Sequence, residues 1–138
     1  MVALGDADNY ATRLRDYDRS GRDQVQWVID RLWSDPLTRS ATIATLQPLT
    51  DTSYIPRVCL LDFFLIDNVL QLSCYAHSID FGAKGYANLV ELASQPEEIA
   101  RDVSCAIGTL IMIIKSAHVY ESDFAYMNGV LSTPRDHG

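Results

Sequence analysis

The sequence feature that most constrains the fold is a pair of apolar segments separated by two turn-forming residues. Residues 57–66 form an apolar run, and residues 69–77 follow with a second segment of strand-forming residues. The dipeptide Asp67-Asn68 between them has residue types that favour a tight turn. This pattern predicts a long β-hairpin, so the fold must contain a sheet.

Helical and strand-like segments surround the predicted hairpin. Apolar residues at helical spacing over residues 23–33 predict an amphipathic helix, with Asp23 near its N-cap and an end before Asp35-Pro36. Residues 1–22 are polar and are interpreted as a solvated, partly mobile segment, and the tail from Asn128 lacks periodicity. The remaining predicted elements are strands over 40–46 and 109–120, a loop over 81–85, and helices over 87–93 and 96–106, the last ended by Gly108.

The order of these elements predicts an α+β fold with a mixed sheet and helices packed on one face. We expect one domain, residues 1–138, because a chain of this length buries a single core. Aromatic and β-branched residues on several strands indicate a well-covered sheet. We therefore expect a second subunit to bury the other sheet face, which gives a homodimer.

Charge and composition argue against several classes of partner. The chain carries 11 basic and 18 acidic side chains, for a net charge of −7, which disfavours a nucleic-acid polymer or an anionic membrane. No apolar run reaches the roughly 20 residues of a membrane span, and no signal peptide is predicted near Met1. Cys59, Cys74 and Cys105 lack paired spacing, so we expect no disulfide framework, no metal and a cytoplasmic location.

Three motifs occur in a fixed order along the chain. Residues 23–40 read D-Q-V-Q-W-V-I-D-R-L-W-S-D-P-L-T-R-S, residues 77–80 read H-S-I-D with Asn88 following, and residues 116–121 read S-A-H-V-Y-E. An upstream segment at residues 10–15 reads Y-A-T-R-L-R. In order and spacing, these segments resemble the thymidylate synthase and pyrimidine-nucleotide hydroxymethylase superfamily over most of the chain. The third motif is similar in form to the hydroxymethylase and archaeal-type branches.

The resemblance implies a reaction and a set of partners. Members of this superfamily form a symmetric dimer through a sheet face and bind a pyrimidine nucleotide. They use a reduced folate, 5,10-methylenetetrahydrofolate, as one-carbon donor and add a methyl or hydroxymethyl group at C5 of the base. We therefore expect a pyrimidine nucleotide or nucleoside as ligand, a homodimer as assembly and this folate as the candidate cofactor.

The resemblance also implies residues that contact the base and the sugar. Asn88 matches the asparagine that reads the pyrimidine edge, a role that suits an amide because it donates and accepts hydrogen bonds at once. His118 and Tyr120 match the pair that bonds the ribose hydroxyl, and alternation along a strand points both side chains the same way. The structural alternatives are a helix-capping asparagine and a core histidine beside a packing tyrosine.

Four further positions concern the phosphate and the folate. Ser78 matches a hydroxyl donor to the nucleotide phosphate, and Arg39 matches an arginine that reaches across the dimer to the partner's phosphate through forked hydrogen bonds. His77 occupies the position of a phosphate-binding arginine, and a neutral histidine is a weaker phosphate ligand. Asp80 matches the carboxylate that contacts the folate ring. The structural alternatives to these ligand-binding roles are an ordinary strand residue for Ser78, a solvated surface charge for Arg39 and a turn-forming residue for Asp80.

The sequence departs from the superfamily at the nucleophile. Members carry a cysteine after the proline that matches Pro56, and its thiolate adds to C6 of the pyrimidine. Here that position is Arg57, which stays protonated and can only supply a cation near the sugar or phosphate. Cys59 lies two positions later, about 6.6 Å along a strand, and a bulge would be needed to compensate for this offset. The candidate catalytic residues are therefore Cys59, Asp80 and Arg57.

The sequence leaves three hypotheses for function. The first is an enzyme that binds a pyrimidine nucleotide and transfers a one-carbon unit to C5. The alternative is a non-catalytic relative that keeps the scaffold and binds a nucleotide or a partner without C5 chemistry, which the arginine at position 57 favours. A third is a different reaction in the same pocket, assisted by His77, His118 or Asp80.

Overall fold

Helices and strands are interspersed along the chain in a mixed order. The computed structural model describes residues 10–53, 55–83 and 85–133. The elements are α1 (Tyr10–Arg15), α2 (Gln24–Ser34), β1 (Thr42–Ala44), β2 (Val58–Ile66), β3 (Val69–Ala76), β4 (Ile79–Asp80), α3 (Gly85–Val103), β5 (Ala106–Ile114), β6 (Ala117–His118), a short 3-10 helix (Glu121–Asp123) and α4 (Phe124–Ser132). The main sheet has four strands in the order β1-β2-β3-β5, and β4 pairs with β6 in a second sheet.

The predicted hairpin is confirmed as β2 and β3. The two strands pair antiparallel from the turn outwards to Val58 opposite Ala76. Asp67 and Asn68 form the turn with φ values of 50° and 60°. Aspartate and asparagine adopt this left-handed conformation more readily than other residues with a side chain, and the resulting turn matches the twist of a hairpin. β1 pairs antiparallel with β2 whereas β5 pairs parallel with β3, so the sheet is mixed.

One face of the main sheet packs against α2 and α3. Alternate residues of β3, from Leu70 to Ala76, are buried, as expected for a strand with one covered face. α2 is the predicted amphipathic helix, and Asp23 caps it by accepting a hydrogen bond from the Gln26 N–H at 2.9 Å. The predicted α+β class with helices on one face is therefore confirmed. The α2 residues in the core are Val25, Val28, Ile29 and Leu32.

The opposite face of the main sheet is exposed and carries apolar side chains. Leu60, Tyr75 and Ile113 form one row across β2, β3 and β5, and Ile111 lies in the next row beside Ser73. The four apolar residues are 38–63% exposed. A contiguous apolar patch of this kind is typical of a surface that contacts another molecule.

The two helices predicted between β4 and β5 are a single helix, α3, which runs unbroken through Pro96. Proline removes one backbone hydrogen bond, and this loss alone predicts a break. Leu92, Ile99 and Val103 are nevertheless buried on one helical stripe that continues across the proline. Packing of this stripe against the sheet outweighs the local cost, so the prediction of two helices is wrong.

Gly108 does not end a helix, contrary to the sequence prediction. The helix ends earlier because Ser104 adopts a φ of 61° and closes a cap, in which the Cys105 N–H donates to the Ala100 carbonyl at 2.9 Å. Gly108 lies inside β5, at an irregularity in its pairing with β3. A side chain there would collide with Gln71, so glycine serves close packing within the sheet.

The described chain is helical near both ends, where the sequence predicts irregular structure. Residues 10–15 form α1, and Arg13 is 6% exposed because it pairs with Asp51, which corrects the prediction that this segment is solvated. Residues 124–132 form α4, whose side chains are not buried against the rest of the described chain. Residues 1–9 and 134–138 of the predicted segment and tail lie outside the described residues.

Candidate functional site

The pairing of β4 with β6 brings the second and third motifs together. The two strands run parallel, with Asp80 opposite His118. The Phe81 N–H donates to the His118 carbonyl at 2.8 Å. The single strand predicted over residues 109–120 is therefore two strands, β5 and β6. The break between them carries the third motif out of the main sheet and beside β4.

Asp80 is a buried carboxylate, 8% exposed. Its Oδ1 accepts a hydrogen bond from the Gly82 N–H at 2.9 Å. Asp80 therefore also stabilises a turn, which is the structural role given above as the alternative to ligand binding. Within the described part of the chain, no group donates to Oδ2. A buried carboxylate oxygen without a donor is costly, so Oδ2 is an acceptor available to a ligand N–H. Gly85 fixes this position, since a Cβ there would lie 2.7 Å from the Asp80 carbonyl oxygen.

His118 and Tyr120 form a pair of contacting rings. Their centroids are 5.0 Å apart and their planes meet at 78°, an edge-to-face arrangement. His118 Nδ1 lies 3.4 Å from the Ser116 carbonyl oxygen. When Nδ1 carries the proton, Nε2 is an acceptor for a ligand hydroxyl. Tyr120 is 59% exposed, which leaves its hydroxyl accessible from solvent beside the histidine ring.

His77 and Arg57 are neighbours at the end of the main sheet. The His77 N–H donates to the Arg57 carbonyl at 2.9 Å, and His77 Nδ1 lies 3.4 Å from the same oxygen. Both residues are half-buried, as is Ser78, which follows in the short connection to β4. The segment from His77 to Asp80 therefore links this end of the main sheet to the β4–β6 pair.

A β-bulge occurs at Cys59. Val58 pairs with Ala76 and Leu60 pairs with Tyr75, so Cys59 is the extra residue on β2. A bulge bends the strand and re-aims side chains locally, which is the compensation that the two-residue offset from the nucleophile position needs. Cys59 is only 7% exposed, so any ligand would have to reach it from within the fold.

The surroundings of the Cys59 thiol disfavour its ionised form. The thiol donates to the Pro56 carbonyl, with Sγ and O 3.3 Å apart. Burial raises the pKa of the Cys59 thiol above its usual value, whereas the His77 N–H and the Lys115 charge act in the opposite direction. Nucleophilic attack requires the thiolate, so a reaction at Cys59 would need a ligand or movement that relieves this burial.

Arg39 and Asn88 are the remaining predicted ligand-binding residues. Arg39 is exposed in the loop between α2 and β1, and it forms no ion pair or hydrogen bond with any residue in the described ranges. Its exposure is compatible with a reach across a dimer. Asn88 lies in the first turn of α3, and its side chain lies outside the described part of the structure.

Lys115 is a candidate functional residue that the motif comparison misses. It directly follows β5, and its N–H donates to the Ala76 carbonyl at 2.9 Å, so its backbone lies beside the end of β3, where His77 follows. Its side chain is exposed. The signal in the sequence is a lysine that follows a long apolar strand and directly precedes the third motif.

Residues 10–53, 55–83 and 85–133 contain neither a membrane-spanning helix nor a metal-binding cluster of side chains. No helix there combines the length and the apolar composition that crossing a membrane requires. The same residues contain no group of three or more histidine, cysteine, aspartate or glutamate side chains that could hold a metal ion.

The fold and these motifs agree with the comparison to known protein families. A family model described as thymidylate synthase matches residues 3–137. The chain therefore belongs to the thymidylate synthase family, which confirms the resemblance seen in the motifs.

Individual relatives agree with this family membership. A protein named "Putative thymidylate synthase" from Methanococcoides burtonii is 35% identical over 117 residues, which cover 83% of this chain and 54% of the relative. A protein of the same name from Methanosarcina mazei is 33% identical over 124 residues, with coverages of 88% and 57%. "Deoxyuridylate hydroxymethyltransferase" from Bacillus phage SP01 is 33% identical over 130 residues, with coverages of 83% and 34%. The chain thus spans about half the length of the first two relatives.

Proposed function

We propose that this chain binds a pyrimidine nucleotide where the main sheet meets the β4–β6 pair. The main supporting observation is the pairing of Asp80 with His118, which assembles two motifs distant in sequence beside the exposed Tyr120 ring. In this proposal His118 and Tyr120 bond the ribose hydroxyl, and Asn88 reads the base edge. A related phage protein is named for deoxyuridylate, which supports a pyrimidine as the base.

We further propose that the nucleotide undergoes one-carbon transfer at C5. The family and its named relatives support 5,10-methylenetetrahydrofolate as the donor, which would supply the one-carbon unit when bound. Asp80 fits this cofactor because its buried Oδ2 can accept an N–H of the folate ring. Cys59 is the candidate nucleophile, since Arg57 cannot form a covalent bond to C6.

The exposed face of the main sheet supports a homodimer as the assembly. Leu60, Tyr75 and Ile113 form an apolar row there that a second copy of the chain would cover. Arg39 would then reach the phosphate of the nucleotide held by the other copy. The cytoplasmic location and the absence of a nucleic-acid partner stay predictions from the cysteines and from the net charge of −7.

Equilibrium titration with uracil and cytosine nucleoside monophosphates tests the binding proposal. Tyr120→Phe should weaken binding by roughly 3–10-fold, because it removes one hydrogen bond to the ribose. Tyr126→Phe is the matched control, since Tyr126 is 69% exposed on α4, and it should leave the affinity unchanged. No binding of either base by the unaltered chain, with and without tetrahydrofolate, would refute the proposal.

Turnover with 5,10-methylenetetrahydrofolate tests the role of Cys59. Cys59→Ala should abolish product formation while nucleotide binding persists, because only the thiol can add to C6. Cys105→Ala removes a half-buried thiol elsewhere and should leave turnover intact. Full turnover by Cys59→Ala would exclude Cys59 as the nucleophile. Binding without turnover in the unaltered chain would instead favour the non-catalytic relative.

A further inference from the structure

We propose that Gly82 is a positioning residue for the bound nucleotide. Because it has no side chain, the turn after β4 (residues 80–83) packs directly on Asp123, and this contact holds the Tyr120 ring beside His118. The role of Gly82 in binding rests on the proposed function, in which Tyr120 bonds the ribose. The contact itself rests on the packing of Gly82 and Asp123, which belong to none of the motifs.

The turn after β4 leaves no room for a side chain at Gly82, which is buried. A Cβ added there would lie 2.9 Å from the Asp123 Cβ and 3.0 Å from both Asp123 Oδ2 and Val119 Cγ1. Non-bonded carbon atoms are ordinarily about 3.5–4.0 Å apart. The φ of Gly82 lies outside the left-handed region, so glycine is required here for space and not for backbone conformation.

The turn after β4 is firmly held on its own side of this contact. The Gly82 N–H donates to Asp80 Oδ1 at 2.9 Å, and the Phe81 N–H donates to the His118 carbonyl at 2.8 Å. Asp80 is buried, and its carbonyl oxygen is in close contact with Gly85 at the start of α3. Displacement of this turn would therefore break several interactions at once.

The opposite side of the contact is the turn after β6 (residues 119–123), which is more exposed. The 3-10 helix within it contributes no buried residue, and Tyr120 is 59% exposed. The Asp123 N–H donates to the Tyr120 carbonyl at 2.9 Å, and the Tyr120 ring lies edge-to-face with His118. A shift of Asp123 would therefore carry Tyr120 with it.

A side chain at position 82 should thus act on Tyr120 rather than on Asp80. To restore an ordinary carbon–carbon contact, Asp123 must move away from Gly82 by roughly 1 Å. The more exposed turn yields, and the Tyr120 ring is withdrawn from His118. A displacement of about 1 Å is large enough to cost a ligand its hydrogen bond, because hydrogen bonds weaken outside a narrow range of distance and angle.

Calorimetric titration of the full chain with uridine monophosphate tests this coupling through a double-mutant cycle. Gly82→Ala should weaken binding about 3–10-fold, the effect expected of Tyr120→Phe, because both lose the same hydrogen bond. The two substitutions together should weaken binding no further than either one alone. Gly129→Ala is the matched control, since no atom lies within 4 Å of a Cβ added there, and it should leave the affinity unchanged.

Proton NMR of the ligand-free chain tests the contact without a nucleotide. The chain has three histidines, and His118→Gln identifies the ring signal of His118 by its loss. Tyr120→Leu removes the neighbouring ring and gives the reference shift of that signal. Gly82→Ala should move the signal in the same direction, and Gly129→Ala should not. Asp123→Gly removes the atoms that oppose a Cβ at position 82, so its combination with Gly82→Ala should return the signal towards its original position.

These measurements separate failure of the positioning role from failure of the proposed function. An unchanged affinity in Gly82→Ala, or full additivity with Tyr120→Phe, refutes the role of Gly82 while nucleotide binding stands. If the unaltered chain binds no nucleotide, the proposed function fails, and an unmoved His118 signal in Gly82→Ala refutes the contact as well. If Gly82→Ala does not fold, recovery of folding on adding Asp123→Gly supports the contact, and continued unfolding refutes it.

Discussion

Asp51→Asn is expected to lower the free energy of unfolding by about 3–5 kcal/mol, because it leaves the buried Arg13 guanidinium without its carboxylate. The two side chains are 7% and 5% exposed and form two hydrogen bonds of 2.7 and 2.8 Å. Arg13 also donates to the Thr45 carbonyl at 2.7 Å, so the pair joins α1 to the segment that follows β1. Urea unfolding monitored by circular dichroism measures the effect.

The exposed partner of Arg15 provides a matched control for Asp51. Glu98→Gln breaks the ion pair between Arg15 and Glu98, whose side chains are 41% and 39% exposed. Exposed pairs contribute about 0–1 kcal/mol, so this variant should unfold almost like the unaltered chain. Equal losses of stability in Asp51→Asn and Glu98→Gln would contradict the assignment of a buried structural pair.

The stability difference between the unaltered chain and Asp51→Asn should also depend on pH. Hydrogen bonds from Arg13 lower the pKa of Asp51 despite the opposing effect of burial. A carboxyl group with a lowered pKa in the folded state stabilises that state above its unfolded pKa, near pH 4, and loses this contribution as the pH falls through the folded value. The difference should be constant from about pH 5 to 7 and shrink below about pH 4.

Ile113→Arg is expected to prevent dimerisation. Ile113 is 63% exposed at the β5 end of the apolar row on the open sheet face, and the substitution places a charge there. Burial of an isoleucine contributes roughly 1.5–3 kcal/mol, and twofold symmetry doubles the loss to about 3–6 kcal/mol. The dimer dissociation constant should therefore rise about 10²–10⁴-fold, which sedimentation equilibrium can measure.

Leu49→Arg is the control for this surface substitution. Leu49 is 96% exposed in the loop after β1, so the variant adds the same charge away from the sheet face. It should sediment like the unaltered chain. A monomeric unaltered chain at all concentrations, or a dimer that Ile113→Arg leaves intact, would refute the open face as the interface.

The parts of the fold that follow from short-range patterns could be predicted from the sequence. The hairpin depends on two adjacent residues, Asp67 and Asn68, that tolerate left-handed conformations. α2 depends on apolar spacing and on the Asp23 cap, all within a few turns. The course of α3 through Pro96 could not be predicted in the same way, because it depends on packing against a sheet whose strands are distant in sequence.

The sequence identified individual residues of the candidate site but could not predict how they are arranged. The motifs identify Asp80 and His118, but their pairing depends on the break after β5, which the sequence pattern conceals within one apolar run. Lys115 belongs to none of the motifs. It is a candidate only because its backbone is hydrogen-bonded to the end of β3, which is distant in sequence. The partnership of Arg13 with Asp51 joins residues 38 positions apart, which no local pattern specifies.

A crystal structure of the chain grown with a pyrimidine nucleoside monophosphate tests the central claim most directly. We expect the sugar to contact His118 and Tyr120 and the base to lie beside Asn88. A nucleotide bound at another surface, or one whose sugar contacts neither His118 nor Tyr120, would contradict the account.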